Sequence, residues 1–73
     1  MSGSAYKIIE VVGTSPDSWE AAAKVAIEEA TKHLDDVRVA EVTKMDVRLE
    51  NNKIVEYRTK VALSFKYHSE LHA

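Results

Sequence analysis

The sequence predicts an α+β fold, a β-α-β-β monomer in which a three-stranded antiparallel sheet wraps around one helix. Three observations predict it. The second half of the chain reads RVAEVTKMDVRLE, then NN, then KIVEYRTKVALSFKY, which is two long extended runs about a two-residue turn. The middle carries apolar residues at helical spacing, and the start carries one short β-rich run. The whole chain, 1–73, reads as a single domain.

The first strand is expected over residues 5–12, AYKIIEVV. Tyr6, Ile8 and Val12 share one side with Glu10, while Ile9 and Val11 lie on the other with Lys7. A strand apolar on both sides suits a central or doubly covered position. GTSP, residues 13–16, then reads as a junction. Gly13 permits a tight turn, Ser15 is the expected N-cap, Pro16 the first helical residue, and Asp17 an acid in the first turn. A Gly-Thr-Ser loop before a helix can also cradle a phosphate, but a single glycine favours the capped helix.

The helix is expected over 16–34. Trp19, Ala22, Ala23, Ala26, Ile27, Ala30 and Leu34 form its apolar stripe. The alanines let it lie close to a sheet. Glu20, Lys24, Glu28 and Lys32, four residues apart and alternating in sign, form a solvated face. His33 is expected in the last turn beside the helix carbonyls.

The long strands are expected over 38–50 and 53–67, leaving 68–73 as a tail. Val55, Tyr57, Thr59, Val61, Leu63, Phe65 and Tyr67 alternate with Glu56, Arg58, Lys60, Ala62, Ser64 and Lys66, the period of a half-buried strand. Asn51-Asn52 suits a type I′ turn, because asparagine tolerates positive φ. In the first long strand, Ala40 and Val42 are in one phase and Met45, Val47 and Leu49 in the other. That slip predicts a β-bulge near Thr43-Lys44. Thirteen residues per arm extend to about 43 Å, whereas a compact chain of this length has a radius of gyration of about 11 Å. The hairpin therefore overhangs, and a homo-oligomer is expected to cover it.

Composition excludes several classes of function. The 73 residues include no cysteine, so neither a disulfide nor a cysteine-based zinc site is available. Ten basic and twelve acidic residues are interspersed, with a net charge of −2, which argues against nucleic acid as a partner. No run approaches a membrane span and no targeting segment is visible, so a cytoplasmic location is expected.

Catalysis finds little support. Ser64, His68 and an acid could be assembled into a triad only with a histidine from the tail, and His72 lies there too. No enzyme activity is expected. Asp46, Glu41 and Glu50 could offer oxygen ligands to a hard cation if copies of the chain converge. Arg38, Lys44, Arg48, Arg58 and Lys60 line the same hairpin, where they could meet an anion or pair with acids across the strands. Trp19 reads as core or subunit interface.

VVGTSPDSWEAAAKVAIEEA after a short strand, then DDVRVAEV, then YRTKVALSFKY, resembles the dodecins from about Tyr6 to Tyr67. The resemblance implies a β-α-β-β subunit assembled as a hollow homododecamer that stores flavin (FMN or riboflavin) at two-fold interfaces. In such proteins a tryptophan at the start of the long strand covers the flavin ring, and a glutamine on the last strand bonds its pyrimidine edge. Here those positions are Val39 and Arg58. Valine has no π-face, and arginine has donors only. Asp46 stands where members that bind coenzyme A phosphates carry an arginine. Trp19, DD-x-RVA and SFK resemble a divergent branch described as calcium-binding. The resemblance thus makes Val39, Arg58 and Asp46 the ligand-pocket positions. It favours calcium over flavin, with Asp46 as the metal-ligand candidate. A flavin-binding dodecin with non-standard contacts is the alternative.

Overall fold

The computed structural model describes residues 3–66. The elements run β1 (Tyr6–Ser15), α1 (Trp19–Thr31), β2 (Val37–Glu50) and β3 (Lys53–Lys66). The strands form one antiparallel sheet of order β1-β3-β2, with β3 in the centre. The α+β topology is the expected one. Tyr67 and the tail 68–73, with His68 and His72, lie outside the described residues.

Three local expectations are corrected. The first strand does not stop at residue 12. It runs through Gly13, Thr14 and Ser15, which pair with Thr59, Arg58 and Tyr57. Because β3 is long enough to keep pairing, the ladder outcompetes the local loop. Ser15 is consequently a buried strand residue whose Oγ accepts from the Asp17 N–H at 3.0 Å. The helix begins at Trp19 instead of Pro16, with Ser18 as N-cap in an extended conformation, and its Oγ accepts from the Ala21 N–H at 3.0 Å. Pro16 and Asp17 form the turn, and Glu20 is the first-turn acid.

The helix also ends at Thr31, three residues before Leu34. His33 lies beyond it, its N–H donating to the Ala30 carbonyl at 3.1 Å. Lys32 pairs with Glu29 at 2.9 Å, three residues back, and not with Glu28. The third correction concerns β1, which is an edge strand and not a central one. Val11 packs on the core, but Tyr6, Ile8, Ile9 and Val12 stay exposed.

The hairpin expectations hold. Asn51 and Asn52 have φ of 51° and 64°, the two positive values of a type I′ turn. β2 shifts register between Val42 and Lys44, at the expected bulge, and again between Val37 and Val39 and between Arg48 and Leu49.

The core is small. Val61 and Leu63 of β3 and Ala22 and Ala26 of α1 are fully or almost fully buried. Val11, Ala23, Ile27, Ala30, Leu34 and Val37 pack around this cluster. Gly13 allows the close approach of β1 and α1. A Cβ there would overlap the Ala22 carbonyl oxygen and stand 2.8 Å from the Ala26 nitrogen. Thr59, also buried, donates its hydroxyl to the Trp19 carbonyl at 2.8 Å, so a polar residue in the core is satisfied.

The helix cannot cover the sheet. Thirteen residues of helix span about 20 Å, while a fourteen-residue strand spans about 46 Å. α1 therefore lies over β1 and the adjoining part of β3 and barely reaches β2. The radius of gyration is 15.4 Å and the extents are 56 × 21 × 15 Å, well above the compact value of about 11 Å. Val42, Met45, Leu49 and Ile54 remain exposed along the overhang.

Candidate functional site

Cross-strand register turns the helix-free face into ordered rows. Ile8, Ser64 and Val39 form one, and Glu10, Ala62 and Glu41 the next. Then come Val12, Lys60 and Lys44, followed by Thr14, Arg58 and Asp46. All three site residues expected from the sequence lie on this face, but not together. Asp46 and Arg58 are direct partners, while Val39 pairs with Ser64. Six residues along β3 separate the two places, about 20 Å. Within one protomer, Val39 and the Asp46–Arg58 pair do not line one pocket.

The bulge brings Asp46 to this face. Val42 pairs with Val61 on the helix side, and in regular pairing Lys44 and Asp46 would also face the helix. Thr43 is the extra residue, and its hydroxyl donates to the Lys60 carbonyl at 3.3 Å. The phase of β2 is thereby reversed. Lys44 and Asp46 turn to the helix-free side, and Met45 and Val47 turn toward the helix.

Arg58 grips Asp46 with both arms of its fork, Nε to Oδ1 at 2.7 Å and Nη2 to Oδ2 at 3.1 Å. This bidentate geometry is the strong form of an arginine–carboxylate pair. The hydrogen bond from Arg58 holds the Asp46 carboxyl below its ordinary pKa; desolvation, the next largest influence, opposes it, and the charges of Arg58 and then Lys44 add to the lowering. Arg58 is held above its ordinary value by the same bond. A hollow of about 120 Å³ lined by Val12, Lys44, Asp46, Arg58 and Lys60 opens beside the pair.

Elsewhere on the hairpin the bases pair with acids. Arg48 contacts Glu56 at 2.7 Å and Glu50 at 2.6 Å, and Arg38 contacts Asp36 at 2.6 Å. Glu50 is thereby committed to an arginine. No group of three or more His, Cys, Asp or Glu positioned to hold a metal occurs among the described residues. Asp46, Glu41 and Glu50 are therefore not brought together in one chain.

A second hollow, of about 460 Å³, lies on the other side of the sheet, where α1 fails to reach β2. Trp19, Ala23, Val42, Met45 and Thr59 line it, with Glu20 at the rim. Trp19 is held from two sides. Its ring meets Tyr57 edge to face at 5.1 Å and 79°, and its Nε1–H donates to the Asp46 carbonyl at 2.9 Å. The sequence reading did not connect Trp19 with Asp46, and no local pattern could have, since 27 residues separate them. No described helix is long and apolar enough to cross a membrane.

Comparison with known proteins agrees with this architecture. The sequence model of the dodecin family matches residues 5–68. The curated calcium dodecin of Mycobacterium tuberculosis is 44% identical over 63 residues, covering 86% of this chain and 89% of that protein. A crystal structure of that organism's calcium dodecin, described as calcium-chelating with a novel calcium-binding site, superposes with a TM-score of 0.79. It is 43% identical over 89% of this chain and 93% of its own. The dodecin of Streptomyces coelicolor gives a TM-score of 0.84 at 31% identity, covering 93% of this chain and 97% of that one. None of these is named for a catalytic activity. With the family's sequence matched over nearly all of β1 to β3 and its fold reproduced element by element, the chain belongs to the dodecin family.

Proposed function

We propose that this chain is a non-enzymatic, cytoplasmic, ligand-binding subunit of a homododecameric shell, and that its ligand is a divalent cation, calcium, in preference to flavin. The observation that carries this reading is the occupancy of Arg58. Its fork is spent on Asp46, and the aliphatic Val39, 55% exposed, stands about 20 Å from it. Neither residue offers the stacking surface or the paired donor and acceptor that an isoalloxazine ring requires. The relationship to a protein named calcium dodecin supports the cation.

Calcium takes six to eight oxygens, more than one protomer gathers, so the site draws on more than one copy. Asp46 is the carboxylate proposed to enter it, exchanging Arg58 for the metal. The shell follows from the hairpin. β2 and β1 are both edge strands, and apolar side chains are exposed on both sides of the sheet. Burying such edges against sister copies removes the liability.

Calorimetry with calcium on chelator-stripped, dialysed protein tests the ligand. Saturable heat is expected for the natural sequence and its loss for Asp46→Asn. No saturable heat for the natural sequence removes the calcium reading, and undiminished heat for Asp46→Asn removes this carboxylate from it. Light scattering tests the shell, which requires a mass near twelve subunits. A folded species of 8.2 kDa would contradict it.

A further inference from the structure

Asp46, Arg58, Arg48 and Glu56 form a ring of alternating charge on the helix-free face. Asp46 pairs with Arg58 and Arg48 with Glu56, in neighbouring rows of one hairpin. Asp46 lies two residues before Arg48 on β2, and Glu56 two before Arg58 on β3, so like charges fall on the diagonals. Two residues along a strand span about 7 Å, within reach of an arginine side chain. Arg58 bonds Asp46, but Glu56 is its neighbour as well. The bond and the charge of Asp46 raise Arg58 above its ordinary pKa, desolvation opposes them, and the charge of Glu56 adds a smaller push upward. Arg48 is bound twice, by Nε to Glu56 at 2.7 Å and by Nη1 to Glu50 at 2.6 Å.

The other charges near the pair leave a change of partner open. Lys60 is turned toward Glu10, at 3.7 Å. Lys44 acts on Asp46 through its charge, and less than Arg58 does. Each Asp46 oxygen accepts one hydrogen bond from Arg58 and keeps a further lone pair, so a cation can approach before the guanidinium leaves. The main chain is anchored meanwhile, since Trp19 holds Asp46 by its carbonyl. We propose that Arg58 is the specificity-determining residue of the cation site, an internal competitor that yields Asp46 only to a divalent cation and then moves to Glu56. This rests on the reading of Asp46 as a calcium ligand. A monovalent cation in place of the guanidinium exchanges one unit charge for another, so Asp46 gains little. A dication doubles the attraction at a given distance. Arg48 can share Glu56 with the incoming guanidinium, because Glu50 still holds its other arm. Without Glu56 the released Arg58 would stay against the dication, and the two would repel each other.

Chelator-stripped full-length protein is titrated with calcium by calorimetry at one ionic strength, as the natural sequence, Arg58→Gln, Glu56→Gln and the double variant. Arg58→Gln should bind calcium about threefold more tightly and Glu56→Gln about threefold more weakly, the scale of one exposed ion pair. In the Arg58→Gln background the Glu56 change should cost less, because no guanidinium is left to receive. Equal losses in the two backgrounds overturn the proposal. Sodium in place of tetramethylammonium should leave calcium binding by the natural sequence unchanged and weaken it in Arg58→Gln, and equal weakening of both also overturns it. A calcium-free measurement stands beside these. The crystal structure of Asp46→Ala should show Arg58 within hydrogen-bond distance of Glu56, and Arg58 left in solvent overturns the exchange. If none of the four proteins binds calcium, the cation reading falls, and the Asp46→Ala structure still decides whether Arg58 changes partner. If calcium binds saturably but the two changes are additive, the exchange falls and the cation reading stands.

Discussion

The indole N–H of Trp19 donates to the backbone carbonyl of Asp46 at 2.9 Å, tying the first residue of the helix to the middle of β2. The carbonyl belongs to the backbone of an edge strand, and the side chain of the same residue lies on the helix-free face beside Arg58. Trp19 thus sets where the Asp46–Arg58 pair stands, from the other side of the sheet.

Trp19→Phe keeps an aromatic ring for Tyr57 but removes this donor. A loss of about 1 kcal/mol of stability is expected, measured by urea unfolding of the assembled protein. The Asp46 amide should also shift in the NMR spectrum. An unchanged midpoint and an unmoved Asp46 resonance would mean that the bond positions nothing.

Gly13→Ala tests the contact between β1 and α1. The new methyl would meet the Ala22 carbonyl, the Ala26 nitrogen and, at 2.9 Å, the Ala26 Cβ. Two of these are backbone atoms that cannot swing aside. About 3 kcal/mol of destabilisation is expected, the upper end of ordinary overpacking, seen by circular dichroism as a lower denaturation midpoint.

Acid stability follows from Asp46. Its pKa is depressed in the folded chain by the Arg58 hydrogen bond, so its contribution is present above the unfolded value of about 3.9 and disappears as pH falls through the folded value. Arg58 stays charged throughout and adds no slope. Asp46→Asn should therefore flatten the stability profile below about pH 4, relative to the natural sequence, and leave its shape near neutrality alone. Equal acid slopes in the two proteins would show the pair to be too well solvated to matter.

The double change Val39→Trp, Arg58→Gln restores the two residue types through which the resemblance implies flavin binding. Quenching of riboflavin fluorescence should be absent for the natural sequence at low micromolar protein and appear in the variant. Since the two positions lie about 20 Å apart in one subunit, any gain requires copies to bring them together. Strong quenching by the natural sequence would reverse the preference for a cation.

Much of this was legible in the chain itself. Period-two alternation from Lys53 onward placed Val61 and Leu63 inside and Arg58 and Lys60 outside, because side-chain direction in a strand is a local property. The phase slip between Val42 and Met45 announced the bulge, and the paired asparagines announced the turn. The overhang followed from length alone. Ser15 and Ser18 were not separable. Both are serines just before a helical run, and only the continued pairing of Ser15 with Tyr57 shows that the first belongs to the strand. The edge position of β1 was likewise hidden, since a strand's pattern does not say which neighbours it finds.

By itself, then, the sequence determined the order of elements, the two-sided hairpin, its kink and its overhang. Each is set by interactions between residues near one another along the chain, or by chain length. Tertiary structure alone decided that Asp46 meets Arg58, that Lys44 faces Lys60, that Val39 stands apart from both, and that Trp19 reaches across to β2. Those are matters of register between strands, and register is chosen by the whole sheet packing against the helix, not by any stretch of residues on its own.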